Sequence, residues 1–158
     1  WKEKTEAEYC WMLHGKSNEW DIMHNYYPPP PEAWKKCWTI TESQAYCHRV
    51  CWFDIKQKIF PLSGKYQVTA ELLFKKQFRE EINYSLRTLS FNSDNIVPKS
   101  KKEGIITFPT DYLNRKITLS LGEIYLEIAG DSLQMRIWKH SGQWVTDIYF
   151  YGFSLIKV

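Results

Sequence analysis

From Tyr66 to Phe74 the chain alternates without a break: Tyr66, Val68, Ala70, Leu72 and Phe74 fall on one side, and Gln67, Thr69, Glu71 and Leu73 on the other. Successive side chains of an extended strand point to opposite faces, so this spacing predicts a half-buried strand and excludes a surface helix. The same alternation recurs in Ile82, Tyr84 and Leu86, in Ile117, Leu119 and Leu121, and in Leu133, Met135 and Ile137. Turn-forming residues separate these runs at Ser63-Gly64-Lys65, Asn92-Ser93-Asp94, Gly130-Asp131 and Ser141-Gly142. Short strands with polar turns at this spacing imply an all-β chain, an antiparallel β-sandwich of jelly-roll type. The last run, Trp144 to Val158, is apolar on both faces, as a central strand covered on both sides would be, and its Gly152 marks a bulge or a close backbone approach. One short helix is expected near residues 41–49, where Thr41 and Gln44 have the spacing of a capping box.

A chain of 158 residues is long enough to bury a core without disulfides and is read as one domain over 1–158, with 1–19 a less regular N-terminal extension. No apolar run reaches the roughly 18 residues that would span a bilayer as a helix, so no membrane role is expected. The net charge of +3 is too small for a nucleic-acid face, and the cluster Lys99, Lys101 and Lys102, beside Pro98, Ser100 and Gly104, reads as a solvated loop. Cys10, Cys37, Cys47 and Cys51 have neither redox nor zinc-knuckle spacing, so no metal or other cofactor is expected.

No nucleophile elbow, P-loop or zinc-protease motif is present, and Glu71, Glu123, Glu127 and Asp147 nominate no carboxylate pair, so the chain is not read as an enzyme. The aromatic content of 16%, with 8 Trp and 10 Tyr, points instead to rings that face a ligand. A pyranose offers an apolar C–H face to such rings and hydroxyls to fixed donors and acceptors. Trp138 shares the polar face of its strand with Gln134 and Arg136, which makes it either a stacking platform or cover for a second sheet or a dimer interface. In the stretch WDIMHNYYPPPPEAW, Trp20 and Trp34 bracket His24, Asn25 and Tyr26, with four prolines to stiffen the loop. A polyproline ligand for a partner domain is the weaker reading, because these prolines are hemmed in by aromatics.

The segment AWKKCWTITESQAYCHRVCWFDIKQKI, Ala33 to Ile59, resembles the entry of the phloem-protein-type lectins of plants, through Trp34 and Trp38, Glu42-Ser43, Val50-Cys51-Trp52, Asp54-Ile55 and Lys58-Ile59. Leu62 to Lys76 and Met135 to Val158 are similar to that family's following strand and C-terminal block, and the likeness runs from about Trp20 onward. The resemblance, closest to the small cucurbit phloem lectins, implies a metal-free β-sandwich that binds N-acetylglucosamine oligomers and glycoproteins and forms a homodimer. It also implies a cytoplasmic or phloem-sap location, a role in defence or wound sealing, and association with RNA or phloem filament protein. An alternative is a structural phloem protein cross-linked through its cysteines. Carried over by position, the family's binding tryptophans fall near His24 and at Trp34, and its site carboxylates at Ser132 and Lys139. Because a histidine, a serine and a lysine stand at three of those positions, Trp20, Asn25, Tyr26 and Trp138 join the candidate sugar contacts. The family has Gly where Gln57 stands, which predicts a turn of another type there.

Overall fold

The computed structural model describes residues 2–3, 10–13, 21–22, 38–40, 44–78, 81–90 and 98–158; the side chains of residues 2–3, 10–13, 21–22, 38, 40, 49–52 and 141–144 lie outside that description. In order these residues form β1 (Lys2–Glu3), β2 (Cys10–Leu13), β3 (Asp21–Ile22), β4 (Trp38–Ile40), β5 (Ala45–Ile59), β6 (Gly64–Phe74), β7 (Asn83–Leu89), β8 (Ser100–Ile105), β9 (Lys116–Leu126) and β10 (Ser132–Lys157). No helix occurs among them.

The architecture follows from the length of β5 and β10. These two strands pair antiparallel along most of their course, and each runs through both layers of a β-sandwich. In the first layer Ser132 to Trp138 of β10 lies between β7 and the later part of β5, with β8 outside β7 and β3 outside β5. In the second layer the later part of β10 pairs with β6, which carries β9, while β2 and the start of β5 occupy its other edge. The buried residues form one cluster filled from both layers, including Phe53, Ile55, Tyr66, Leu72, Phe74, Leu86, Leu121, Met135, Ile137, Phe150 and Phe153.

The alternation read from β6 is present in full: Tyr66, Val68, Ala70, Leu72 and Phe74 are all buried. In β9 the buried series Ile117, Leu119, Leu121 changes phase and continues as Ile124 and Leu126. The change occurs where pairing with β6 slips between Val68 and Thr69, at Gly122, whose φ of 89° suits only glycine without strain. The bulge expected at Gly152 is also present, at φ 139°, where the register with β6 shifts between Phe150 and Gly152. Ile148, Phe150, Phe153 and Leu155 therefore all reach the core, whereas Tyr149 and Tyr151 on the opposite face are half-buried rather than covered.

Four expectations are corrected. Residues 45–49 belong to β5 and not to a helix: Ala45 and Cys47 are buried while Tyr46 and His48 alternate outward, and pairing with β4 and β10 overrides the local capping signal. Thr41 to Ser43 lie outside the described residues. Ser141-Gly142 does not end a strand, because β10 continues through it with a register shift between His140 and Val145. Lys101 and Lys102 stand on β8, an exposed strand that pairs with β7, where charge also guards an open edge. Gln57 lies within β5 opposite Met135, buried, and not in a turn.

Candidate functional site

Trp138 ends the well-paired first half of β10, opposite Asp54 on one side and Asn83 on the other. Leu133, Met135 and Ile137 point into the core, so Gln134, Arg136 and Trp138 take the outer face, as their parity predicts. On that face the Arg136 guanidinium lies 4.5 Å from the Trp138 ring centroid. Arg136 in turn donates to both oxygens of Asp54, Nε to Oδ1 at 2.9 Å and a terminal nitrogen to Oδ2 at 2.5 Å. The Asp54 side chain is 3% exposed, and His140 Nε2 lies 2.8 Å from its Oδ2. A buried carboxylate with this fork-on-fork partner fixes the guanidinium plane, and the plane supports one face of the half-exposed indole. The other indole face stacks on no aromatic ring among the described residues; Gln134 and Arg136 share the outer face of β10 with Trp138, and Asn83 is its cross-strand neighbour on β7.

The remaining candidate residues are distributed differently. Trp20, His24, Asn25, Tyr26 and Trp34 lie outside the described residues. Ser132 opens β10 opposite Leu89 and is 2% exposed. Lys139 is half-buried and pairs with Phe53, so it continues the inward-facing parity. Ser132 and Trp138 are six residues apart on one extended strand, roughly 20 Å, and the fold does not bring them together. Among the cysteines, Cys47 is buried, its thiol donating to Val145 O at 3.7 Å, which withdraws it from any surface cross-link. Cys10 and Cys51 are described only as strand backbone, and Cys37 lies outside the described residues.

A second aromatic group, absent from the sequence-based candidates, lies on the outer face of the other layer. Tyr46 and Tyr149, cross-strand neighbours, stack with centroids 4.4 Å apart, and Tyr149 continues to Tyr151 at 6.3 Å. Their alternation with Ile148 and Phe150 was the available signal. Tyr46 and Tyr149 face each other, and Lys116 Nζ caps the Tyr151 ring at 4.3 Å, so these ring faces are occupied by partners within the chain. The stack is therefore a cross-strand brace. It is anchored at Asp147, a non-glycine residue at φ 56°, which accepts the Tyr46 hydroxyl and pairs with Lys76 at 3.1 Å.

The hydrogen bond to Asp147, reinforced by burial and the carboxylate's charge, pushes the Tyr46 hydroxyl up to about 12. The same bond, helped by Lys76, holds Asp147 below its ordinary value against the opposing effect of burial. For a raised phenol the contribution is complete below the ordinary tyrosine pKa and is lost as pH rises through about 12; for a depressed carboxylate it is present above the ordinary aspartate value and is lost as pH falls through the folded one. Tyr46→Phe should therefore remove one late phenolate from an ultraviolet absorbance titration. Its stability deficit should be largest at neutral pH and close in acid. A late phenolate unchanged in the variant would show that the bond does not form.

Comparison with known proteins bears on the fold. No protein-family model matches the chain, and no curated protein sequence does. Among solved structures the chain is similar to the Glycosylation Associate Protein (Gap123) complex of Streptococcus agalactiae, at TM-score 0.54 and 9% identity over 94% of this chain and 25% of that one. It is similar also to the GH26-CBM35 β-(1,4)-mannanase of Podospora anserina, at TM-score 0.50 and 9% identity over 94% of this chain and 27% of that one. TmCBM61 in complex with β-1,4-galactotriose matches at TM-score 0.40 and 14% identity, over 91% of this chain and 86% of that one. The first two establish a shared β fold, and this chain spans about a quarter of each of those proteins.

Proposed function

We propose that this protein is a non-catalytic carbohydrate-binding protein that takes N-acetylglucosamine oligomers on the Trp138 face. The observation that carries the reading is the half-exposed indole held flat by Arg136, itself locked by a buried Asp54. Such a surface stacks on the C–H face of a pyranose, while Gln134, Asn83 and the edge of Arg136 supply hydrogen bonds to its hydroxyl and acetamido groups. Asp54 is engaged by both Arg136 and His140, and in this reading its role is to position the guanidinium under the indole. The fold shared with a mannanase that carries CBM35 supports sugar as the ligand class. The narrower choice of N-acetylglucosamine, with a phloem role in defence or wound sealing and a homodimer, rests on the resemblance of three sequence blocks to the phloem lectins.

Titrating chitotriose into the protein, followed by tryptophan fluorescence and calorimetric heat, tests this reading. Trp138→Ala should weaken binding by about 2 kcal/mol, roughly 30-fold, the loss typical of an aromatic anchor, with the fold intact. Unchanged affinity would make Trp138 a covering residue.

A further inference from the structure

Apart from the Trp138 face, the chain encloses a cleft of about 580 Å³ where the start of β8 approaches the end of β9. Its size lies in the range of small-molecule sites, whose volumes run from about 300 to 1,000 Å³. Tyr125 on its wall is 57% exposed and stacks on no other ring among the described residues. The Lys102 side chain crosses from β8 to β9 over Gly122, where a Cβ would stand 2.5 Å from Nζ. Lys102 pairs with no carboxylate among the described residues, and Glu127 with no cation. The other charges here are already matched: Lys99 Nζ binds Asp131 at 2.6 Å, Lys65 binds Glu123 at 2.9 Å and Lys101 binds Glu103 at 3.3 Å.

Among the described residues the cleft therefore offers one unmatched donor cation, one unmatched acceptor anion and one free aromatic face. An anionic ligand would meet Glu127, and a cationic one would meet Lys102. A neutral polyol, whose hydroxyls both donate and accept, is repelled by neither charge, hydrogen-bonds with the one it lies beside and stacks on Tyr125. We propose that this cleft is a second sugar site, taking one neutral pyranose unit, so that a single chain is bivalent. The proposal rests on the reading of the chain as a sugar binder and adds a site to it. The two sites stand at opposite ends of β7, since Asn83 pairs with Trp138 and Thr88 lines the cleft, five residues or roughly 17 Å away. A chain with two separated sites can join two glycans without dimerising.

Calorimetric titration of the full chain with chitotriose reads the number of sites per chain. Two sites are expected, with Tyr125→Ala or Lys102→Gln weakening one of them at least about tenfold and Trp138→Ala weakening the other. Tyr125 and Lys102 are exposed, so these variants should fold. One site lost in Tyr125→Ala and kept in Trp138→Ala would support the cleft and remove the Trp138 assignment. One site lost in Trp138→Ala and unaltered in Tyr125→Ala and Lys102→Gln would overturn the cleft and leave the proposed function standing. No heat with any protein would overturn both.

Discussion

Asp54→Ala should destabilise the protein by about 3 kcal/mol, the lower end of the cost of removing one partner from a buried ion pair. Asp54 is 2% exposed and receives two bonds from Arg136 and an approach from His140, so alanine removes a buried carboxylate that a guanidinium and an imidazole share. The lower end applies because the Arg136 side chain is 26% exposed, and water can solvate part of the stranded charge. In urea unfolding the midpoint should fall with little change in slope, since the surface exposed on unfolding is nearly the same. Pairing Asp54→Ala with Arg136→Met should recover most of the loss, because burial of an unmatched charge is then avoided. Sugar affinity should fall in both proteins, since Trp138 loses the plane that supports it. A loss below about 1 kcal/mol, the range of exposed pairs, would show that the pair is solvated and that the indole is held by packing alone.

Phe74→Ala should cost about 4 kcal/mol, within the range for emptying a buried phenylalanine site. Phe74 closes β6 with no exposed surface, and its ring meets Phe108 at 5.2 Å, Tyr112 at 5.6 Å and Phe78 at 5.8 Å. This cluster ties the segment between β8 and β9 to the sheet. Tyr112 accepts from Phe78 N at 2.9 Å and donates to Phe78 O at 3.1 Å, and Asn114 N donates to Phe74 O at 2.9 Å. The substitution should loosen residues 106–114 ahead of global unfolding, visible as earlier amide exchange there. The Trp138 face should keep its affinity wherever the variant remains folded. A cost below about 2 kcal/mol would mean that the neighbouring rings collapse into the space.

The parity of β6, β7, the first part of β9 and the first half of β10 was legible in the sequence, and the position of Trp138 opposite the core followed from it. The phase changes could also be read, because apolar residues step by three around Gly122 and again between Phe150 and Phe153, with a glycine at each step. What joins distant segments could not be read. Arg136 finds Asp54 across 82 positions, and no local pattern marks an aspartate as buried on the outer face. Lys102 lines one cleft with Tyr125 and Glu127 because the start of β8 approaches the end of β9. At residues 45–49 the capping spacing of Thr41 and Gln44 competed with the period-two burial of Ala45 and Cys47, and pairing on both edges of β5 decided for strand. Residues with weak local preference adopt what their neighbours supply.

The most direct test of sugar recognition is a glycan array that includes a length series of N-acetylglucosamine oligomers. The account predicts retention of these oligomers, rising with length as a chain spans more contacts, and weak or no signal from monosaccharides. Absence of binding to every glycan on the array, by protein shown to be folded, would contradict it.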